Sequence, residues 1–433
     1  MKGKDLIFCC LILILFASFC KSKGRKDPII VIDIEDNVNN MKRICLSQFS
    51  DNIRYVALES NPNFLLSMLL YEFDISDNYI LCYDGRKCAL YDIEGHFIRP
   101  IGSEGRGPGE YTGISALFLR NGKIYIHDFY TDDILEYKED GVFLKRYQSG
   151  YTGNGKYRLE NAIMINDSLI FGNIVNRTGR EEYKALIMDK NGEIKYYWKN
   201  HIFFKLAPGV KQGTSTRDAL FSKTGNGILF MEYFNDTLFL LDDQYHLKPL
   251  YVFNFGKYKE PLSERGKRLD QIDRSSYMGI YQIFTKENYL ILKCDFNKYF
   301  PAKRLTPEII KLPGIEEITR WHNTRIVIGI YDKITEKLVF SEPTSTDNHL
   351  FTSGLYNDID AGPRFIPDKM INDSTMVMNI RFEYLIEHIE SKDFKDNTPR
   401  YPEKKKRLES FVDSLSRTGF DNPVLMFVTF KAK

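Results

Sequence analysis

Ile101-Gly102-Ser103-Glu104-Gly105-Arg106-Gly107-Pro108-Gly109-Glu110-Tyr111-Thr112-Gly113-Ile114 lies between two short alternating apolar runs, Phe97 to Ile101 and Ile114 to Leu119. A glycine at nearly every second position, with Pro108 among them, is turn chemistry. A phosphate cradle would need GxxxxGK[ST] and a following helix to lend its N-terminus, and neither is present. The stretch therefore reads as punctuation between two repeated units.

The units on either side confirm the period. Leu70–Ser76, Tyr79–Asp84, Cys88–Asp92 and Phe97–Ile101 precede the glycine loop; Ile114–Leu119, Lys123–Asp128, Ile134–Lys138 and Val142–Tyr147 follow it. Each is four short β-type runs with polar turns, and the pattern recurs from Asn161, Asp218, Gly279 and Phe365. Asp92-Ile93-Glu94-Gly95, Glu139-Asp140-Gly141 and Asp189-Lys190-Asn191-Gly192 mark the third-to-fourth turn, at intervals of about 46 to 51 residues. That spacing suits one four-stranded propeller blade.

Six such units closed in a ring leave few sheet edges exposed. The expected fold is all-β: a six-bladed β-propeller of four-stranded blades over residues 29–433, with short helical insertions. The sixth unit, Phe365–Met370, Thr375–Asn379 and Pro423–Lys431, lacks a fourth strand. Ile53–Glu59 alternates but has no local partner, so it is expected to supply that strand and close the ring. Ile29–Glu35 reads as a further isolated strand. Helices are expected at Glu260–Arg274, after Pro261, and at Pro402–Arg417, where Leu408, Phe411, Val412 and Leu415 share a face and Gly419 follows.

Gly102–Tyr111, Lys123–Asp128 and Asp140–Leu144 together resemble an NHL-type propeller repeat. The whole chain is similar to the six-bladed β-propeller lipoproteins of Bacteroides-type bacteria, whose function is largely undefined. Lys2 and Lys4, the apolar block Leu6–Phe16 and Ala17-Ser18-Phe19-Cys20 have the layout of an export signal. The box resembles a lipoprotein signal, with Phe19 standing where a small residue is usual. This implies acylation at Cys20, a tether over residues 21–28 and a place in the bacterial cell envelope, anchored to the membrane. The alternative is an uncleaved signal anchor.

Lys+Arg at 60 against Asp+Glu at 58 leaves no basic stripe that could track phosphates, which argues against nucleic acid as a partner. Cys45, Cys82, Cys88 and Cys294 form no CxxC or zinc spacing. Cys82 and Cys88 flank a turn and could face each other, although burial as free thiols is the plainer expectation.

Propeller topology brings the crossovers and the second-to-third loops to one face. Candidate ligand-face residues are Arg106 and Glu110 in the glycine loop, with Asp84, His127, Asp128, Asn173, Glu232 and Asp295 at the ends of second strands. Asp84, Asp128, Glu232 and Asp295 could form a carboxylate ring for a hard cation such as Ca²⁺. Strand-ending Asp residues also cap their own turns, and that is the preferred reading. His127 beside Asp128 is the pair best placed for Zn²⁺. No GxSxG elbow or HExxH occurs. The favoured function is a binding module for a small ligand or a protein; the alternative is a metal-dependent lyase or lactonase with its site in the central channel.

Overall fold

The computed structural model describes residues 29–67, 70–148, 159–213, 219–268, 271–272, 276–296, 308–310, 318–320, 326–342 and 354–431. The signal segment, Cys20 and the tether lie outside these residues, as does part of the expected helix at Glu260–Arg274.

Six antiparallel sheets form a ring, each a blade with its first strand innermost. Blade one comprises Glu72–Ile75, Tyr79–Tyr83, Cys88–Asp92 and Phe97–Pro100; blade two comprises Ile114–Arg120, Lys123–Asp128, Ile134–Lys138 and Phe143–Tyr147. Blades three and four begin at Leu159–Met164 and Ala219–Thr224, and blades five and six at Gly279–Thr285 and Lys369–Met370. The middle strands are buried on both faces because each blade is packed between two others, which is why Leu81, Leu90, Ile126 and Leu135 form one cluster spanning blades one and two. Fourth strands are more open, and Ile194–Lys199 is exposed along most of its length.

Ring closure follows the sequence expectation. Ser50–Ala57 pairs antiparallel with Val424–Phe430 as the outer strand of blade six, with Val56 opposite Leu425. The first strand is not isolated: Ile30–Asp33 adds a fifth, parallel strand to blade four, with Ile30 opposite Tyr251. Met41–Lys42 does the same on blade five. The N-terminal chain thus covers the edges of two blades before completing a third, hiding edges that would otherwise be open to pairing.

In such a meander the first-to-second and third-to-fourth turns share one face, while second-to-third loops and crossovers share the other. The tight turns behave as their sequence suggests. Asp92 Oδ1 accepts from the N–H groups of Glu94 and His96 at 3.0 and 2.9 Å, and Asp242 repeats the pattern with Gln244 and His246 at 3.0 and 2.8 Å. Gly95 has φ +92°, and a Cβ there would sit 2.2 Å from the Ala57 carbonyl oxygen, so only glycine fits beside the closing strand. The long connections, at 200–218, 255–278, 296–325, 342–368 and 381–423, all arise on the opposite, loop face.

Two helical expectations fare differently. Pro402–Ser416 is a helix with Leu408 and Val412 buried. Its stripe fills the wedge left where blades five and six diverge, among Ile328, Met426 and Val428, together with Phe382–Glu390 and Lys392–Asp396, which the sequence reading did not anticipate. The expected helix at Glu260–Arg274 is corrected: Gly256–Tyr258 and Leu262–Gly266 are single 3-10 turns, because Glu264, Arg265 and Gly266 are buried by tertiary contacts and no helical stripe forms. Cys82 and Cys88 are free thiols. Cys82 opposes Ala89 while Cys88 opposes Tyr83, so the two point to opposite faces of the sheet and cannot bridge.

Candidate functional site

The loop face collects the ends of the second strands, and the side chains there answer to their own blades first. Asp84 Oδ2 accepts from the Ser67 N–H at 2.7 Å, and its Oδ1 from Arg86 and Lys87 at 2.9 and 2.7 Å. Asp128 does the same job one blade on: the Thr112 N–H and hydroxyl donate at 2.7 and 2.6 Å, and Tyr130 and Thr131 donate from the following turn. Each carboxylate ties the incoming crossover to the outgoing turn. Asp295 accepts from the Tyr281 hydroxyl at 2.8 Å, and Glu232 pairs with the Lys184 ammonium at 3.2 Å. The four acids expected as a carboxylate ring are thus held separately on four blades. Among the described residues no three His, Cys, Asp or Glu groups converge to hold a metal.

His127 is fully buried and turned away from Asp128. Its Nδ1 lies 2.5 Å from Ser115 Oγ, and its Nε2 is 2.8 Å from Asp132 Oδ1, close but misaligned for a hydrogen bond. Asp132, at φ +64°, accepts the Leu159 N–H at 3.0 Å through its other oxygen. The chain Ser115, His127, Asp132, Leu159 therefore links the first strand of blade two to that of blade three. This is a largely buried polar brace between the two blades, with the contact of His127 and Asp132 electrostatic and not a formed hydrogen bond.

The glycine loop is also nailed down. Glu110 folds back so that its Oε2 accepts the Gly107 N–H at 2.7 Å. The Tyr111 hydroxyl accepts from Cys88 N–H at 3.0 Å and donates to the Arg86 carbonyl, while Tyr137 donates to the Gly109 carbonyl at 2.9 Å. Arg146 bridges Asp133 at 2.9 Å and donates to the Glu110 carbonyl. Arg106 stands exposed at the loop tip, so of the two residues expected to point outward only Arg106 does.

A small cavity of about 20 Å³ opens to solvent at the loop-face end of the cleft between blades three and four. Its walls include Asn173, Lys184, Ile202, Glu232, Phe234 and Arg265. Lys184 also stands 4.6 Å from the Phe239 ring centroid, and Arg265 lies 5.3 Å from both Phe204 and Phe234. Arg265 Nε and Nη2 donate to the Asn176 carbonyl at 3.1 and 2.7 Å. Of these residues the sequence singled out Asn173 and Glu232 and missed the others. A lysine inside the apolar run Tyr183–Asp189 was the available signal for Lys184; nothing local marks Arg265 or Phe234.

Fold and face together define a six-bladed β-propeller with one short-turn face and one loop-rich face. Residues 29–429 match the family described as a domain of unknown function, DUF4934, and the chain belongs to that family. Among solved structures it is similar to a Bacteroides fragilis protein described as exported, with 17% identity, a TM-score of 0.57, and coverage of 94% of this chain and 100% of the other. It is also similar to a member of the DUF4221 family from Bacteroides vulgatus, with 13% identity, a TM-score of 0.48, and coverage of 89% and 97%. At 17% identity the likeness is one of fold. No curated protein sequence matches.

Proposed function

We propose that the chain is a cell-envelope propeller, tethered through Cys20, that binds a ligand or partner protein with its loop face. The observation that carries this is the asymmetry of the two faces. All five long connections arise on the loop face, whereas the other face is made of turns whose polar groups satisfy one another. Binding residues gather on loops held by a rigid scaffold. The NHL-like repeat and the box before Cys20 support the address and the adapter role.

The test compares faces. Tyr71, Tyr130 and Phe203 are exposed aromatics on the loop face, while Val142 and Ile334 are exposed on the tight-turn face. Replacing the first three by Ser should abolish capture of the ligand from envelope extracts, and replacing the other two should leave it intact. Equal effects from both sets would refute the assignment. Cys20→Ala should move the protein from the membrane to the soluble fraction; its retention there would mean an uncleaved anchor.

A further inference from the structure

Three short segments lie side by side where blade five passes to blade six. Cys45 bridges Tyr356 in parallel, with the Tyr356 N–H donating to the Ile44 carbonyl and the Leu46 N–H to the Tyr356 carbonyl, each at 2.8 Å. On the other side Leu355 bridges Phe365 through hydrogen bonds of 3.0 and 2.9 Å. This small ladder presents Arg43, Tyr356 and Arg364 from neighbouring segments. The guanidinium carbon of Arg43 is 4.7 Å from the Tyr356 ring centroid and that of Arg364 is 5.3 Å from it. Asn397 Nδ2 donates to the Tyr356 hydroxyl at 2.7 Å and pins the ring.

Neither guanidinium has an ion-pair partner among the described residues. Arg364 is only 7% exposed, and its one hydrogen bond, to the Glu342 carbonyl, is long at 3.3 Å. Arg43 is exposed. The Asp358 carboxylate is taken by the Ser47 N–H and hydroxyl at 3.0 and 2.6 Å. Glu342 and Asp393 act on Arg364 only from a distance, and burial together with the neighbouring Arg43 outweighs them, pushing the Arg364 pKa down. Arginine still keeps its proton at neutral pH, so the ladder holds positive charge that no adjoining side chain pairs. Buried charges in native proteins are paired, by the chain or by what it binds.

We propose that Arg364 and Arg43 hold the phosphate group of a small ligand at this rim. A phosphate carries roughly two negative charges at pH 7 and three acceptor oxygens, enough for two guanidinium forks. A carboxylate has two oxygens, and one fork uses both. Arg364 supplies the fixed fork, and the exposed Arg43 closes onto the same oxyanion. The connection from blade five to blade six belongs to the loop face, so the proposal names a ligand class for that face and rests on the loop-face reading.

The test is calorimetric titration of the purified full chain at constant ionic strength and pH 7 with inorganic phosphate and with glycerol phosphate, and with acetate as the control. Both phosphates should bind, and acetate should bind roughly tenfold more weakly or not at all. Tighter binding of the ester supports the site and assigns it a phosphorylated organic molecule; tighter binding of the free ion supports it and assigns phosphate itself. Arg43→Gln removes one fork from an exposed side chain and should weaken phosphate roughly tenfold while the far-UV spectrum stays unchanged. Arg364→Lys keeps the charge without the fork and should weaken it as well, which reads the site should either variant fail to fold. Phosphate binding that survives both substitutions overturns the proposal. So does the absence of heat from both phosphates, or acetate bound as tightly as they are. A chain that ignores phosphate yet still captures its ligand through Tyr71, Tyr130 and Phe203 would sink this site alone and leave the wider binding role standing.

Discussion

The ammonium of Lys369 lies 3.0 Å from Glu72 Oε1, so the first strand of the last blade is fastened to the first strand of the first. Asp74 Oδ1 is 3.4 Å away, and the Phe73 carbonyl also accepts from the ammonium. Burial works to lower the Lys369 pKa, but Glu72 and Asp74 outweigh it and hold the group above the ordinary lysine range. Lys369→Met should cost roughly 1 kcal/mol, since each partner is about one third open to solvent. Urea unfolding measures it. Glu72→Gln should add little in the Lys369→Met background, and simple additivity of the two losses would show that no coupling exists across the seam.

Closure by the N-terminal strand predicts a larger effect. Leu58, at the end of that strand, is fully buried among Tyr91, Val377 and Phe427, from blades one and six. Leu58→Ala should lower stability by about 2–5 kcal/mol, the range for a deleted core leucine. A chain beginning at Glu59 lacks the outer strand of blade six and should show no cooperative thermal transition. A melting curve like that of the full chain would refute the closing role.

Asp128 separates a structural role from a ligand role. Its carboxylate accepts from Thr112, Tyr130 and Thr131, so Asp128→Ala should cost at least about 2 kcal/mol through stranded donors. Elemental analysis of the purified wild type adds a second check: a stoichiometric, tightly held metal would restore the lyase or lactonase reading.

His388 gives a pH dependence. Its Nε2–H donates to the Ala361 carbonyl at 2.9 Å, and burial pushes the imidazole pKa below 6.5. The unfolded chain therefore takes up a proton more readily than the folded one as pH falls below 6.5. This contribution to stability is complete above that value and declines as pH drops toward the lowered folded pKa. Denaturation midpoints at pH 7 and 5 should differ accordingly, and His388→Gln should reduce the difference. An unchanged difference would assign it to other groups.

The propeller was legible because its signals are local. Alternation in Lys123–Asp128 and Asx turns such as Asp92–Gly95 reflect contacts within a few residues, and counting blades from them exposed the missing strand that Ser50–Ala57 supplies. Ile30–Asp33 could be seen as a strand but not placed, since its partner Leu247–Asn254 is more than two hundred residues away and parallel pairing leaves no turn to read. At the loop face, the sequence reading of Asp84 and Asp128 as caps of their own turns holds, while their ties to the incoming crossovers at Ser67 and Thr112 had no local signal. The cavity was largely hidden because Lys184, Glu232 and Arg265 come from three separate segments brought together only by closure. Asn173 stood out only as one more polar strand end; its free amide nitrogen is a property of the folded network.

The direction of Ile30–Asp33 fixes the side from which the chain enters the propeller. It runs parallel to Leu247–Asn254, which starts at the tight-turn end of blade four, so the preceding chain enters from that side. The eight residues from Lys21 to Pro28 reach at most about 30 Å. A lipid on Cys20 would therefore leash the propeller by its blank side, leaving the loop face turned outward like a dish on a short stalk.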